Sequence, residues 1–141
     1  MTPQQLATLH ARCFAEGPRP WSVAEFSDFI ASDLDEVLHG RDALAVVRVV
    51  AGEAELLTIC VDPDAQGAGL GRAMLDRAIA DAQQRGAASM FLEVAADNTT
   101  ARALYHAAGF TLSGQRKGYY RRANGPVDAL VLVRDLPLRQ G

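Results

Sequence analysis

The chain is 141 residues long, 49% hydrophobic and 22% charged. That composition suits one soluble domain spanning residues 1–141 around a single core, and it excludes a disordered or fibrous chain. A formal net charge of -3 lacks the positive field of a general nucleic-acid binder, so no direct nucleic-acid binding is expected and an amine-bearing partner fits better.

Thr2 and Pro3 read as the N-cap and first residue of a helix. Leu6, Leu9, Cys13 and Phe14 recur at helical spacing until Gly17-Pro18 stops the pattern. Ser22-Val23-Ala24-Glu25 has the form of a capping box, and Phe26, Phe29 and Ile30 give a second short helix an apolar face that ends near Ser32. Three β-rich runs follow at 36–39, 43–50 and 54–61, with Gly40-Arg41 and Ala51-Gly52-Glu53 as turns, which predicts an antiparallel meander. Asp62-Pro63-Asp64 ends the third run, because proline brings no N–H to a ladder.

The longest helix is predicted over 70–85, with Met74, Leu75, Ala78, Ile79 and Ala82 on one face and Gly86 closing it. Residues 89–95 read as a buried strand, 98–108 as a helix ended by Gly109, and 110–116 with 128–134 as a final pair of strands. Between that pair, 117–126 reads as a polar loop. The expected order is ααβββαβαββ, without repeats or linkers.

Two cysteines, Cys13 and Cys60, stand in no metal-like spacing, and His10, His39 and His106 are scattered, so no metal site is expected. Neither an export signal nor an apolar run long enough to cross a membrane occurs in the sequence. The expected location is therefore the cytoplasm, with no membrane contact.

Gln66-Gly67-Ala68-Gly69-Leu70-Gly71-Arg72 falls between a strand and the long helix, where unpaired N–H groups and the positive helix end gather. Glycines let backbone approach a ligand closely, so the turn suits a phosphate, with a purely structural turn as the alternative. It is not a Walker loop, because Gly71 is followed by Arg72-Ala73. Nor is it a dinucleotide fingerprint, whose third glycine would fall at Arg72 or Met74.

Glu93 interrupts the apolar run Met90-Phe91-Leu92-Glu93-Val94-Ala95, where an ionisable group is costly unless it lines a cleft or finds a cation. From the residues alone, a cleft base and a solvated or ion-paired carboxylate both stay open. Tyr105 is likewise either a core aromatic or a phenolic proton donor.

The turn matches Q/R-x-x-G-x-G/A, and the chain resembles the GNAT acetyltransferases that use this motif for the pyrophosphate of coenzyme A. Leu57-Thr58-Ile59-Cys60-Val61-Asp62-Pro63, Leu92-Glu93-Val94, Asp97-Asn98 and Ala103-Leu104-Tyr105-His106-Ala107-Ala108-Gly109-Phe110 stand in that superfamily's order and spacing. Pro20-Trp21-Ser22 and Gly118-Tyr119-Tyr120 look like the RimI-like subgroup, which acetylates the N-terminus of a ribosomal small-subunit protein.

The resemblance implies an α/β fold whose mostly antiparallel sheet is flanked by helices and splayed at the acetyl-CoA site. Backbone groups of Ile59, Cys60 and Val61 would pair with the pantetheine arm, Gln66, Gly67, Ala68, Gly69, Leu70, Gly71 and Arg72 would hold the pyrophosphate, and Asn98 would touch pantetheine. Glu93 would be the general base, Tyr105 the general acid and the Val61 N–H an oxyanion donor. Where the family usually carries a basic or polar residue, this chain has Gly67. The family's strand ahead of the first helix is expected to be missing or very short, and the hairpin at Gly40-Arg41 compressed.

The implied acceptor is a protein N-terminal amine, with a lysine side chain or small amine as the alternative. A non-catalytic coenzyme A-binding scaffold is the competing class, and Glu93 with Tyr105 counts against it. Trp21, Tyr119 and Tyr120 either border the acceptor groove or pack. Asp33, Asp35, Glu36 and Asp128 are candidates for an acidic groove, and Arg116, Lys117, Arg121 and Arg122 read as a solvated basic patch.

Overall fold

Capping decides where the helices begin. In the computed structural model, whose described residues are 1–14 and 19–137, Thr2 Oγ1 accepts the Gln5 N–H at 3.1 Å, and Gln5 Oε1 accepts the Thr2 N–H at 2.8 Å. This reciprocal box starts α1 (Pro3–Cys13), and Ser22 with Glu25 builds the same box for α2 (Val23–Ala31). Gly17-Pro18, the expected stop of the first helix, lies outside the described residues. The remaining helices are α3 (Leu70–Gln84) and α4 (Thr99–Ala107). Among the described residues no helix is long and apolar enough to cross a membrane.

The strands are β1 (Asp35–His39), β2 (Ala43–Val50), β3 (Glu53–Val61), β4 (Ser89–Ala95), β5 (Thr111–Arg122) and β6 (Gly125–Asp135). They form one six-stranded sheet in the order β1-β2-β3-β4-β6-β5. Only the central β3–β4 pair is parallel. α1 begins at Pro3 with the first strand at Asp35, and the sheet is the mixed, mostly antiparallel one expected.

Alternation along the strands gives the sheet two different faces. Ala45, Val47, Ala54, Leu56, Met90, Leu92 and Leu132 pack with Met74, Leu75, Ala78, Ile79 and Ala82 of α3 and Tyr105 of α4. Leu44, Val46 and Cys60 take the other face, beneath Leu6 and Leu9 of α1 and Phe26 of α2. That second cover reaches β1, β2 and β3. On the β4 and β6 half of the same face, Phe91, Glu93, Val131 and Val133 all keep some exposure.

His10 ties the α1 and α2 layer to the sheet. The Trp21 N–H donates to His10 Nδ1 at 3.1 Å, so Nε2 carries the ring hydrogen and donates to Thr58 Oγ1 at 3.3 Å. The ring stacks on Trp21 at 4.8 Å. Burial lowers its pKa to about 4, with the charge of Glu25 only partly opposing.

Leu57 is an extra residue in β3, inserted between the pairs Val46↔Thr58 and Val47↔Leu56. Such a bulge bends its strand and increases the local twist. The parallel ladder to β4 consists of Glu53↔Ser89, Ala54↔Met90 and Glu55↔Phe91, and it stops just ahead of this bulge. Beyond it, β3 runs to Val61 and β4 to Ala95 without pairing, so the sheet is split at its centre.

The predicted polar loop at 117–126 is a correction: β5 continues to Arg122 and β6 starts at Gly125, joined by Ala123 and Asn124. Polar residues exposed on both sides give no alternation to read. The hairpin is instead set by the pairs Tyr120↔Val127, Arg121↔Pro126 and Arg122↔Gly125. Pro126 is tolerated there because β4 pairs with β6 only from Ala129 onward. Lys117, Gly118 and Tyr119 bulge out, and Asp128 holds the bulge by accepting the Gly118 N–H at 2.8 Å and a bond from the Gln115 side chain.

Candidate active site

At the mouth of the split, one helix is left uncapped. Thr2, Ser22 and Asn98 cap α1, α2 and α4 with side chains, whereas Gly69, with φ +77°, caps α3 with none. The first N–H groups of α3 therefore point outward with the positive end of the helix dipole behind them. Gln66, Gly67, Ala68 and Gly69 are exposed. Gly67 sits at φ +90°, a conformation L side chains rarely adopt, so the shape of the turn explains a glycine where a polar residue is usual.

Gly71 brings this turn against the rest of the site: a Cβ there would meet Leu104 Cδ2 at 3.6 Å and Val61 Cγ2 at 3.7 Å. Arg72 lies in a surface ion pair with Asp76, Nε to Oδ1 3.0 Å.

The free edge of β3 follows from its register. The Asp62 N–H donates to Asp42 O at 2.7 Å. Bonded and non-bonded pairs alternate along an antiparallel ladder. Leu44↔Cys60 is then the next bonded pair, while Ala43↔Val61 and Ala45↔Ile59 are non-bonded. The peptide groups of Ile59 and Val61 therefore point into the split, and those of Cys60 are spent on β2. The Cys60 side chain is buried on the α1 face, away from the split.

Glu93 pairs across the sheet with Val131 and leaves β4 on the face away from α3 and α4. Its side chain is 29% exposed, and the Arg116 Nε lies 3.8 Å from Oε2, too long for a hydrogen bond. Tyr120 stands beside it: burial first, then the Glu93 charge, raises the Tyr120 pKa. Arg122 lies over the Tyr120 ring at 5.5 Å and binds Asp97 through Nε and Nη2 at 3.0 and 3.2 Å.

Tyr105 is on the opposite face, edge-on to Phe110 at 6.0 Å, and burial pushes its pKa up to about 12. Among the described residues its hydroxyl makes no hydrogen bond, yet no buried side-chain oxygen there lacks a partner, so the hydroxyl reaches solvent. Asn98 Oδ1 accepts the Ala101 N–H at 3.1 Å as the α4 cap, which commits its carbonyl and leaves the amide nitrogen.

Several sequence expectations change. Asp35 is buried and bound by Arg48 at 2.8 and 3.1 Å, Asp128 is spent inside its hairpin, and Glu36 is on the edge strand β1, so these do not form an acidic groove. The carboxylate near Glu93 is Glu55, raised in pKa mainly by burial, with Arg48 opposing and Glu93 adding. Its signal was its place on β3 beside Phe91, readable only once the β3–β4 register is known. Arg122 is an ion-paired clamp and not part of a solvated patch. Trp21 packs with His10, Phe26 and Phe29. A surface hollow of about 300 Å³ beside α1, lined in part by Met1, Thr8, Arg12 and Asp62, holds none of the residues expected to do chemistry.

Residues 6–110 match the Acetyltransferase (GNAT) family. The chain is 44% identical over 91 residues to the ribosomal protein bS18-alanine N-acetyltransferase of Escherichia coli, a match covering 64% of this chain and 62% of that relative. It is 36% identical to the N-alpha-acetyltransferase RimI of Mycobacterium tuberculosis, over 94% of this chain and 85% of that one. The crystal structure of the E. coli ribosomal-protein-S18-alanine N-acetyltransferase superposes with a TM-score of 0.84 at 32% identity, covering 98% of this chain and 90% of that one.

Proposed function

The chain belongs to the GNAT acetyltransferase family, and we propose that it transfers an acetyl group from acetyl-CoA to the N-terminal α-amino group of a protein, a ribosomal protein first among candidates, in the cytoplasm. The observation that carries this is the split between β3 and β4, opened at the Leu57 bulge and leading to the uncapped α3 N-terminus. These features fit acetyl-CoA part by part. The N–H groups from Gly67 to Arg72 would hold the pyrophosphate. Ile59 and Val61 would pair with the pantetheine amides, and the Asn98 amide would donate to the same arm. Cys60 contributes its place in the strand and no contact of its own.

Bound acetyl-CoA supplies an activated acyl group on sulfur. Glu93 takes the proton of the attacking ammonium on its face of the sheet, directly or through one water. The Val61 N–H, aimed into the split, stabilises charge on the acyl oxygen. Tyr105 keeps its proton at any working pH and offers it to the departing sulfur. The burial that raises the phenol also raises the proton affinity of a thiolate held beside it, so the two stay matched.

The test is acetylation of a peptide starting with a free alanine, against the same peptide blocked at its N-terminus, with mass spectrometry locating the acetyl group. Label on the α-amine supports the reading. Label on a lysine of the blocked peptide moves the acceptor, and acetyl-CoA binding without transfer to any amine overturns it in favour of a scaffold.

A further inference from the structure

Cys13 and Cys60 take no part in the chemistry above, yet the fold brings them together. Cys13 ends α1 and Cys60 is the penultimate residue of β3, and both pack in the cluster beneath α1. The Cys13 thiol donates to the carbonyl oxygen of Val61, the residue after Cys60, at 3.2 Å. The two thiols differ in access, since Cys13 is partly exposed and Cys60 buried. They also differ in acidity. The neighbouring Cys60 pulls the Cys13 thiol down, with burial and Asp62 opposing and Arg12 assisting, while Cys13 and burial push Cys60 up. An accessible, more acidic thiol beside a buried partner is the arrangement of an attacking and a resolving cysteine.

We propose that Cys13 and Cys60 form a redox-active dithiol that a hydroperoxide closes to a disulfide, tying the end of α1 to the strand that carries Val61. The Cys13 thiolate attacks the terminal oxygen of the peroxide. The O–O bond breaks, the departing oxygen leaves as an alcohol or water after taking a proton, and Cys13 becomes a sulfenic acid. The Cys60 sulfur then attacks Cys13 Sγ. An S–S bond forms, the S–O bond breaks, and the hydroxide leaves as water with the Cys60 proton. Two electrons pass from the thiols to the peroxide, and an external dithiol reverses the step by exchange.

Closure removes the S–H donor from the Val61 carbonyl and draws the end of β3 toward α1. Because Ile59 and Val61 face the split, acetyl-CoA binding weakens in the oxidised form. This consequence, unlike the disulfide itself, rests on the acetyltransferase reading.

The experiment treats the reduced full chain with equimolar hydrogen peroxide, alkylates remaining thiols and maps peptides without reduction. The expected result is a two-hydrogen mass loss, one linked peptide pair containing Cys13 and Cys60, and complete reversal by dithiothreitol. Cys60→Ser should instead hold one added oxygen on Cys13, a sulfenic acid that gains a second only with a further equivalent of peroxide, whereas Cys13→Ser should leave Cys60 reduced. Calorimetry with acetyl-CoA should show at least a threefold weaker Kd for the oxidised chain, restored on reduction. Oxygen added to wild-type Cys13 without a link, or a link that leaves Kd unchanged, overturns the proposal. A linked pair in a chain that binds no acetyl-CoA when reduced would count against the acetyltransferase reading and leave the dithiol standing.

Discussion

Glu93 and Tyr105 lie on opposite sides of the sheet: the carboxylate leaves β4 on the face away from α3 and α4, and the phenol packs among side chains of the other face. The unpaired stretch between β3 and β4 is the passage from one to the other. In the proposed mechanism an amine would approach on the Glu93 side and a sulfur depart on the Tyr105 side, which would keep the two proton transfers apart.

Glu93→Gln keeps the shape and removes the carboxylate proposed as the base. Turnover should fall about 10²- to 10⁴-fold near neutral pH with acetyl-CoA affinity unchanged, and part of the rate should return at high pH, where the amine deprotonates unaided. A loss equal at every pH would make Glu93 a positioning group, and wild-type turnover throughout would remove it from the mechanism.

Tyr105→Phe preserves the edge-on contact with Phe110 and deletes only the hydroxyl. Thiolate departure should slow by about 10²-fold with acetyl-CoA, and by less with an acetyl donor whose thiol is more acidic. Equal losses for both donors would reduce Tyr105 to a packing residue.

At Gly71 the neighbours allow a methyl group, since 3.6 and 3.7 Å are ordinary contacts. Gly71→Ala should therefore retain acetyl-CoA binding. Gly71→Glu should abolish it, because a carboxylate would compete with phosphate for the α3 N-terminus. Calorimetry on both folded variants decides, and tight binding by Gly71→Glu would move the pyrophosphate elsewhere.

The pKa of His10 is about 4 in the folded chain against 6.5 for the free ring. Between those values only the unfolded state binds the proton, so stability should fall as pH drops through that window and be fully present above it. Urea midpoints from pH 4 to 8 should show this slope, and His10→Gln should flatten it. A wild-type midpoint constant from pH 7 to 4.5 would contradict the buried neutral tautomer.

The elements were legible where periodicity and capping agree. The Thr2 N-cap, the Ser22–Glu25 capping box, the α3 face and the β1 to β3 meander appear as the residues imply, and Glu93 stands out as a charge in an apolar strand. The 117–126 hairpin was not legible, since no apolar face marks it. The pairing of Arg122 with Asp97 and the place of Glu55 beside Glu93 depend on which strands adjoin, and no local pattern carries that. The bulge at Leu57 is hidden for a related reason: it puts Leu57 and Thr58 on the same face, and Thr58 is itself a good strand former, so the run shows no break.

Acceptor preference follows from which charges stay free. The sequence suggested an acidic groove at Asp33, Asp35, Glu36 and Asp128, but Asp35 and Asp128 are bound internally, and the carboxylates that remain near the reaction are Glu93 and Glu55. Arg48 sits across from Glu55 but is held by both oxygens of Asp35, so Glu55 keeps charge to offer an incoming cation. Arg122 is clamped by Asp97, which leaves Arg116, near Glu93 and over the Tyr119 ring at 5.4 Å, as the opposing charge. A peptide with a free small first residue followed by lysine or arginine should thus give a higher kcat/KM than its acidic counterpart, with the gap narrowing as salt rises. If Glu55 attracts the acceptor without moving a proton, Glu55→Gln should shrink the gap by raising KM for the basic peptide while kcat holds. Arg116→Ala should widen it. An acidic peptide that outperforms the basic one, and loses that advantage in Arg116→Ala, would reassign the recognition charge from Glu55 to Arg116.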